Sequence, residues 1–211
     1  MSKLVDQLID QGILKTPEII AAFRKINRRD FMVEAAKDKA EVNEPFPIGF
    51  NQTISQPSTV AFMLELLQPK KGQIILDIGS GSGWTTALLS EIVGETGKVY
   101  AVEIIEELKE FGEKNAEKYG FVSRGIAKFI CADGSKGLEE YAPFDRIHVA
   151  AAASEIPRPL LEQLRIGGRL VIPVGVYTQD MVLVRKIDED QYEREKHPGF
   201  VFVPLISKDK S

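Results

Sequence analysis

A chain of 211 residues, 44% of them hydrophobic, can bury one good core with a small appendage and is too short for two full enzyme domains. Its net charge of −4, a pI near 5.4 and cations scattered among acids argue against a nucleic-acid partner, which needs clustered Lys and Arg. No stretch reaches the ~18 apolar residues of a membrane span, residues 1–31 lack a signal-type apolar run, and the single cysteine, Cys131, cannot form an internal disulfide; a cytoplasmic, soluble protein is expected.

At the start of the chain, Leu4, Val5, Leu8 and Ile9 recur with helical period. Thr16-Pro17-Glu18 opens a second helix that turns Ile19, Ile20, Phe23 and Ile26 inward, proline being suited to a first turn. Residues 43–57 hold too many prolines for a helix and too many apolar side chains for a free linker, so an ordered loop is expected. Ser55 or Ser58 is placed to cap a helix through Val60, Met63, Leu64 and Leu67. Residues 1–70 therefore read as a helical extension carrying this loop, and 71–211 as one compact α/β unit.

From Gly72 onward the rhythm is that of parallel βαβ units. Strands are expected at 73–78, 98–103, 127–132, 145–150 and 169–174, with helices near 84–93, 105–119 and 157–165, the last closed by Gly167-Gly168. Further strands are expected at 180–187 and 199–204, separated by an acidic, solvated connection.

The most telling run is Leu76-Asp77-Ile78-Gly79-Ser80-Gly81-Ser82-Gly83. Glycine lets backbone approach a ligand closely and adopt positive φ, so strand, bare turn and helix together make a nucleotide-type site. The next strand ends in Glu103, placed to accept from a ribose. A nicotinamide dinucleotide would call for G-x-G-x-x-G and a pyrophosphate cradle, whereas here the glycines alternate and Asp77 precedes them. An acid suits S-adenosylmethionine, which is cationic and carries no phosphate, and D-x-G-x-G-x-G resembles the first motif of Rossmann-like methyltransferases. A nicotinamide oxidoreductase would also need a substrate domain or a Tyr/Lys or His constellation, and none is seen. His148 lies in an apolar strand and reads as a core residue, and His197 has no partner pattern; no metal site is expected.

Several runs occur in one order: Pro45-Phe46-Pro47-Ile48-Gly49, Asn51 to Pro57, Leu76 to Gly83, Ala132-Asp133-Gly134, Ala142 to Ile147 and Gly167 to Gly175. Together, over residues 40–204, they resemble the protein-L-isoaspartate O-methyltransferase family. The resemblance implies a Rossmann-like class I methyltransferase: a three-layer α/β sandwich with a mostly parallel sheet and an antiparallel C-terminal strand. It implies S-adenosylmethionine as donor, S-adenosylhomocysteine as product, and isoaspartyl proteins or peptides as acceptors of a methyl ester that later collapses to a succinimide. It makes Ser55 the catalytic serine and assigns cofactor contacts to Thr53, Ile54, Asp77, Gly79, Ser80, Gly81, Ser82, Glu103, Ile104, Asp133, Gly134 and Gln179. A monomer is expected. Without its neighbours Gln52-Thr53-Ile54 and Pro57, Ser55 reads as a helix cap, and the alternative for Asp133 is an Asx turn. Asn51, Ser58, Ala132 and Ser154 depart from the family pattern. Two alternatives therefore stand: a relative esterifying another carboxylate, and a non-catalytic S-adenosylmethionine-binding protein.

Overall fold

The structure, a computed structural model, describes residues 2–206; Met1 and 207–211 lie outside the described residues. Helix α1 (Lys3–Asp10) is capped by the Ser2 hydroxyl, which accepts from Val5 N, and α2 (Pro17–Lys25) carries its proline in the first turn. After short 3-10 turns at Arg28–Phe31 and Glu34–Lys39, a hairpin of β1 (Phe46–Gly49) and β2 (Gln52–Ile54) leads into α3 (Pro57–Leu67). Then follow β3 (Ile74–Ile78), α4 (Trp84–Val93), β4 (Lys98–Glu103), α5 (Glu106–Glu117), β5 (Ala127–Cys131), β6 (Phe144–Val149), α6 (Arg158–Glu162), β7 (Leu164–Val174), β8 (Gln179–Asp188) and β9 (Gln191–Phe200).

The main sheet has the order β5-β4-β3-β6-β7-β8-β9. Its first five strands are parallel, and β8 and β9 are antiparallel additions at one edge. Alternation along the strands divides the core: Ile75, Val99, Ala101, Phe129, Val171 and Leu183 face a cluster shared with α1 to α5, and Leu76, Ile78, Val102, Ile147 and Leu170 face a second cluster that includes Leu160 of α6. The N-terminal helices thus share one core with the sheet. The chain leaves β3 toward β4 and later returns beside it as β6, which puts the topological switch, where such folds bind ligands, at the carboxyl end of β3. No helix of the described residues is long and apolar enough to cross a membrane.

Four expectations need correction. The helix expected at 157–165 ends at Glu162, and Gly167-Gly168 do not close it but lie in β7, where a bulge lets the partners step from Leu164 to Arg169 while β6 advances from Phe144 to Arg146. Gly167, at φ 77°, supplies the conformation that bulge needs. The acidic connection is itself strand β9: an edge strand needs only backbone pairing with β8, and exposed charges protect such an edge. Residues 201–204 are then not a strand of the sheet; they cross its carboxyl end, bridged by Ala152 N to Val203 O (2.8 Å) and Leu205 N to Ala152 O (2.7 Å). Finally, neither Ser55 nor Ser58 caps α3. The cap is Gln56 with no side-chain bond, and the Ser58 N–H instead donates to Asn43 Oδ1 at 2.9 Å. Asn51 and Phe50 both hold left-handed φ (56° and 52°) in the β1–β2 turn, a conformation asparagine tolerates well, which accounts for that departure from the family pattern.

Candidate active site

A cavity of about 340 Å³ opens at the carboxyl ends of β3 and β4. One wall is the turn between β3 and α4, where Gly79, Gly81 and Gly83 have φ of 77°, 49° and 81°. This turn is strapped to β4: Gly79 N and Ser80 N donate to Val102 O at 2.8 and 3.1 Å. Glu103 extends the strap. Its Oε2 accepts from Gly81 N at 2.9 Å, and its Oε1 from Ile104 N (2.9 Å) and Ile105 N (3.2 Å). The Ser80 hydroxyl is buried in this wall with no hydrogen-bond partner among the described residues. A cradle of positive-φ glycines, an acceptor carboxylate and an unpartnered hydroxyl fits the polar adenosine end of S-adenosylmethionine.

The opposite wall is the β1–β2 hairpin and the residues after it: Gln52, Thr53, Ile54, Ser55, Gln56 and Thr59 line the cavity. Among the described residues the Ser55 hydroxyl makes no hydrogen bond, while its carbonyl accepts from Arg28 Nη2 at 3.1 Å. Ala150 and Ala151 form the floor beside Gly79, and Val201 to Ile206 close the remaining side. Glu103 is the one ionisable side chain among the described lining residues.

The fold brings most of the expected residues together: Thr53, Ile54, Ser55, Gly79, Ser80, Gly81, Ser82, Glu103, Ile104 and Gly134 all line this cavity. Three expected cofactor residues do not face it. Strand alternation turns Asp77 away from the mouth and toward α4, where it is fully buried, accepts from Thr86 Oγ1 at 2.6 Å and meets His148 Nδ1 at 2.8 Å. Asp77 therefore braces the turn from beneath, and His148, opposite it on β6, is bonded on one nitrogen while Nε2 is buried without a partner. Asp133 accepts from Ser135 N (3.0 Å) and Ser135 Oγ (2.6 Å), so the Asx turn describes its side chain while its neighbours Ala132 and Gly134 reach the cavity wall. Gln179 is buried one layer out; its Oε1 accepts from Phe202 N at 2.8 Å and its Nε2 donates to Val176 O at 3.3 Å, which holds the C-terminal segment across the site.

The wall formed by Val201–Ile206 was not foreseen. Its signal is the apolar run Phe200-Val201-Phe202-Val203 followed by Pro204, a residue that cannot donate to a sheet ladder. Arg28 was also passed over, because a lone arginine in a helical extension reads as a surface residue.

A model of the protein-L-isoaspartate(D-aspartate) O-methyltransferase (PCMT) family matches residues 1–210. The protein-L-isoaspartate O-methyltransferase of Staphylothermus marinus is 43% identical over 212 residues, covering 98% of this chain and 93% of its own; that of Thermococcus onnurineus is 45% identical over 206 residues, covering 97% and 92%. A crystal structure from Plasmodium falciparum, described as a protein-L-isoaspartate O-methyltransferase in complex with S-adenosyl-L-homocysteine, superposes with a TM-score of 0.86 at 25% identity over 97% of each chain. With the glycine turn, the Glu103 strap and the hairpin wall meeting at the switch point of the sheet, the chain belongs to the protein-L-isoaspartate (D-aspartate) O-methyltransferase family.

Proposed function

We propose that this enzyme esterifies the free carboxylate of L-isoaspartyl residues in damaged proteins or peptides, with S-adenosylmethionine as donor. The observation that carries the proposal is the composition of the cavity: a cofactor wall and an unpartnered serine face each other across a lining that, among the described residues, holds no histidine, lysine or cysteine. Bound S-adenosylmethionine supplies an electrophilic methyl group on its sulfonium. A carboxylate acceptor is already ionised near pH 7, so the protein needs no base. Its work is alignment and exclusion of water.

The Gly79–Ser82 backbone, with Glu103 and Ile104, holds the adenosine portion in this reading. Thr53, Ile54 and the Val201–Ile206 segment exclude solvent, and the Ser55 hydroxyl donates to one acceptor oxygen. Serine acts here as a positioning donor, since none of the described lining residues lies ready to deprotonate it. Asp77, Asp133 and Gln179 support the site by holding the turn, the Ala132–Gly134 wall and the C-terminal segment. The single cysteine supports a cytoplasmic setting, and the net charge of −4 supports action without nucleic acid.

The test is Ser55→Ala. Its affinity for S-adenosylhomocysteine should stay within about twofold of wild type, because the hydroxyl faces the acceptor. Methyl transfer to an isoaspartyl peptide should fall by ~10²-fold or more, given the steep dependence of rate on alignment. Full activity in Ser55→Ala overturns the assignment.

A further inference from the structure

Arg28 is 5% exposed, and no carboxylate among the described residues pairs with its guanidinium. It is spent on carbonyls instead: Nη1 donates to Ala40 O (3.3 Å) and Val42 O (3.0 Å), and Nη2 to Glu44 O (2.7 Å) and Ser55 O (3.1 Å). Its carbon lies 5.5 Å from the Phe46 ring centroid and 5.4 Å from that of Trp84. Burial holds its pKa down to about 10.

An unpaired buried cation is costly, and an apolar side chain would fill the gap between two aromatic rings with less penalty. What an apolar side chain lacks is a planar fork of donors. That fork joins Glu44 and Ser55, the residues flanking the β1–β2 hairpin, so both legs of the acceptor wall meet on one group. The second ring, Trp84, opens α4 directly after the glycine turn and lines the cavity. One side chain therefore touches both walls.

We infer that Arg28 is a positioning residue for methyl transfer, setting the Ser55 backbone and hence its hydroxyl relative to the cofactor wall through the carbonyl bond and its contacts with the Phe46 and Trp84 rings. The inference rests on the Ser55 reading above. Because most of the expected cofactor contacts lie on the β3–α4 and β4 side, with only Thr53 and Ile54 on the hairpin, loss of Arg28 should leave cofactor affinity nearly intact and lower turnover.

Arg28→Met keeps volume and removes every donor; Arg28→Lys keeps charge but cannot span four carbonyls. Both should bind S-adenosylhomocysteine within about threefold of wild type by calorimetry. The kcat for isoaspartyl peptide should fall by roughly 10-fold in Arg28→Lys and ~10²-fold in Arg28→Met, in keeping with the cost of small misplacements. A merely structural role would lower the melting temperature without that division between affinity and turnover. The double variant Arg28→Met/Ser55→Ala should turn over no more slowly than Ser55→Ala alone, since both changes remove one function. Should Arg28→Met fail to fold, Arg28→Lys and its double variant with Ser55→Ala carry the same comparison. Multiplying losses in the double variant, or wild-type kcat in both Arg28 variants while Ser55→Ala is impaired, overturn the inference about Arg28. Full activity in Ser55→Ala instead overturns the serine reading, and the inference resting on it.

Discussion

Replacing Glu103 with glutamine separates two roles that one carboxylate fills. The native group has about four acceptor positions, of which three take the N–H groups of Gly81, Ile104 and Ile105. Remaining capacity on Oε2 is left for a ligand hydroxyl. An amide keeps one oxygen only. The orientation that loses less puts that oxygen toward Ile104 and Ile105, which turns the NH₂ toward Gly81 N–H and the ligand. Each lost bond to a charged group is worth about 1.5–3 kcal/mol. For the ligand bond, that is an affinity for S-adenosylhomocysteine about 10- to 150-fold weaker by titration calorimetry. For the Gly81 bond, the same range at about 2–4 °C per kcal/mol gives a melting temperature lower by about 3–12 °C. The kcat at saturating cofactor should change less than the affinity, because a ribose contact is present in ground and transition states alike. A lower melting temperature with unchanged affinity would refute the reasoning and leave Glu103 as a strap on the turn.

Other expectations follow from the same geometry. A Cβ on Gly83 (φ 81°) would sit 2.5 Å from Gly112 O; with left-handed strain of about 1–2 kcal/mol and overpacking of about 1–3, Gly83→Ala should destabilise by about 2–5 kcal/mol in urea titration. At Gly81 the added Cβ comes no nearer than 3.4 Å to Ile48 Cδ1 and 3.9 Å to Gly79 O, so Gly81→Ala should be the more stable of the two, and the reverse order would contradict the packing described. Tyr119 donates to Asp30 Oδ2 at 2.7 Å, and burial, with this bond, raises its pKa to about 12. A group raised above its unfolded value near 10 contributes stability that is complete below pH 10 and is lost as pH climbs toward 12. Stability of Tyr119→Phe measured from pH 9 to 12 should therefore fall less steeply than wild type, and parallel curves would sink the assignment.

The parallel sheet was legible because strands buried on both faces are written as apolar runs, and the turn at Gly79–Gly83 because only glycine satisfies its backbone. What sequence hid was partnership across distance. Asp77 looked like a ligand for a cationic cofactor, yet strand alternation gives it Thr86 and His148. Residues 191–198 looked solvated because an edge strand satisfies its backbone while exposing its side chains. Gln179 stands one layer behind the segment it holds, and Arg28 is separated from Ser55 by 27 positions of chain; nothing in local composition announces either contact.

The account's central claim is that this cavity aligns an isoaspartyl carboxylate with the donor methyl, and paired peptides test it most directly. The two should be identical except that one carries L-isoaspartate and the other L-aspartate at a single position, each incubated with the enzyme and methyl-labelled S-adenosylmethionine. Base-labile label is expected on the isoaspartyl peptide and none above background on its partner. Equal labelling of both, or no labelling of either by protein that binds S-adenosylhomocysteine, would contradict it.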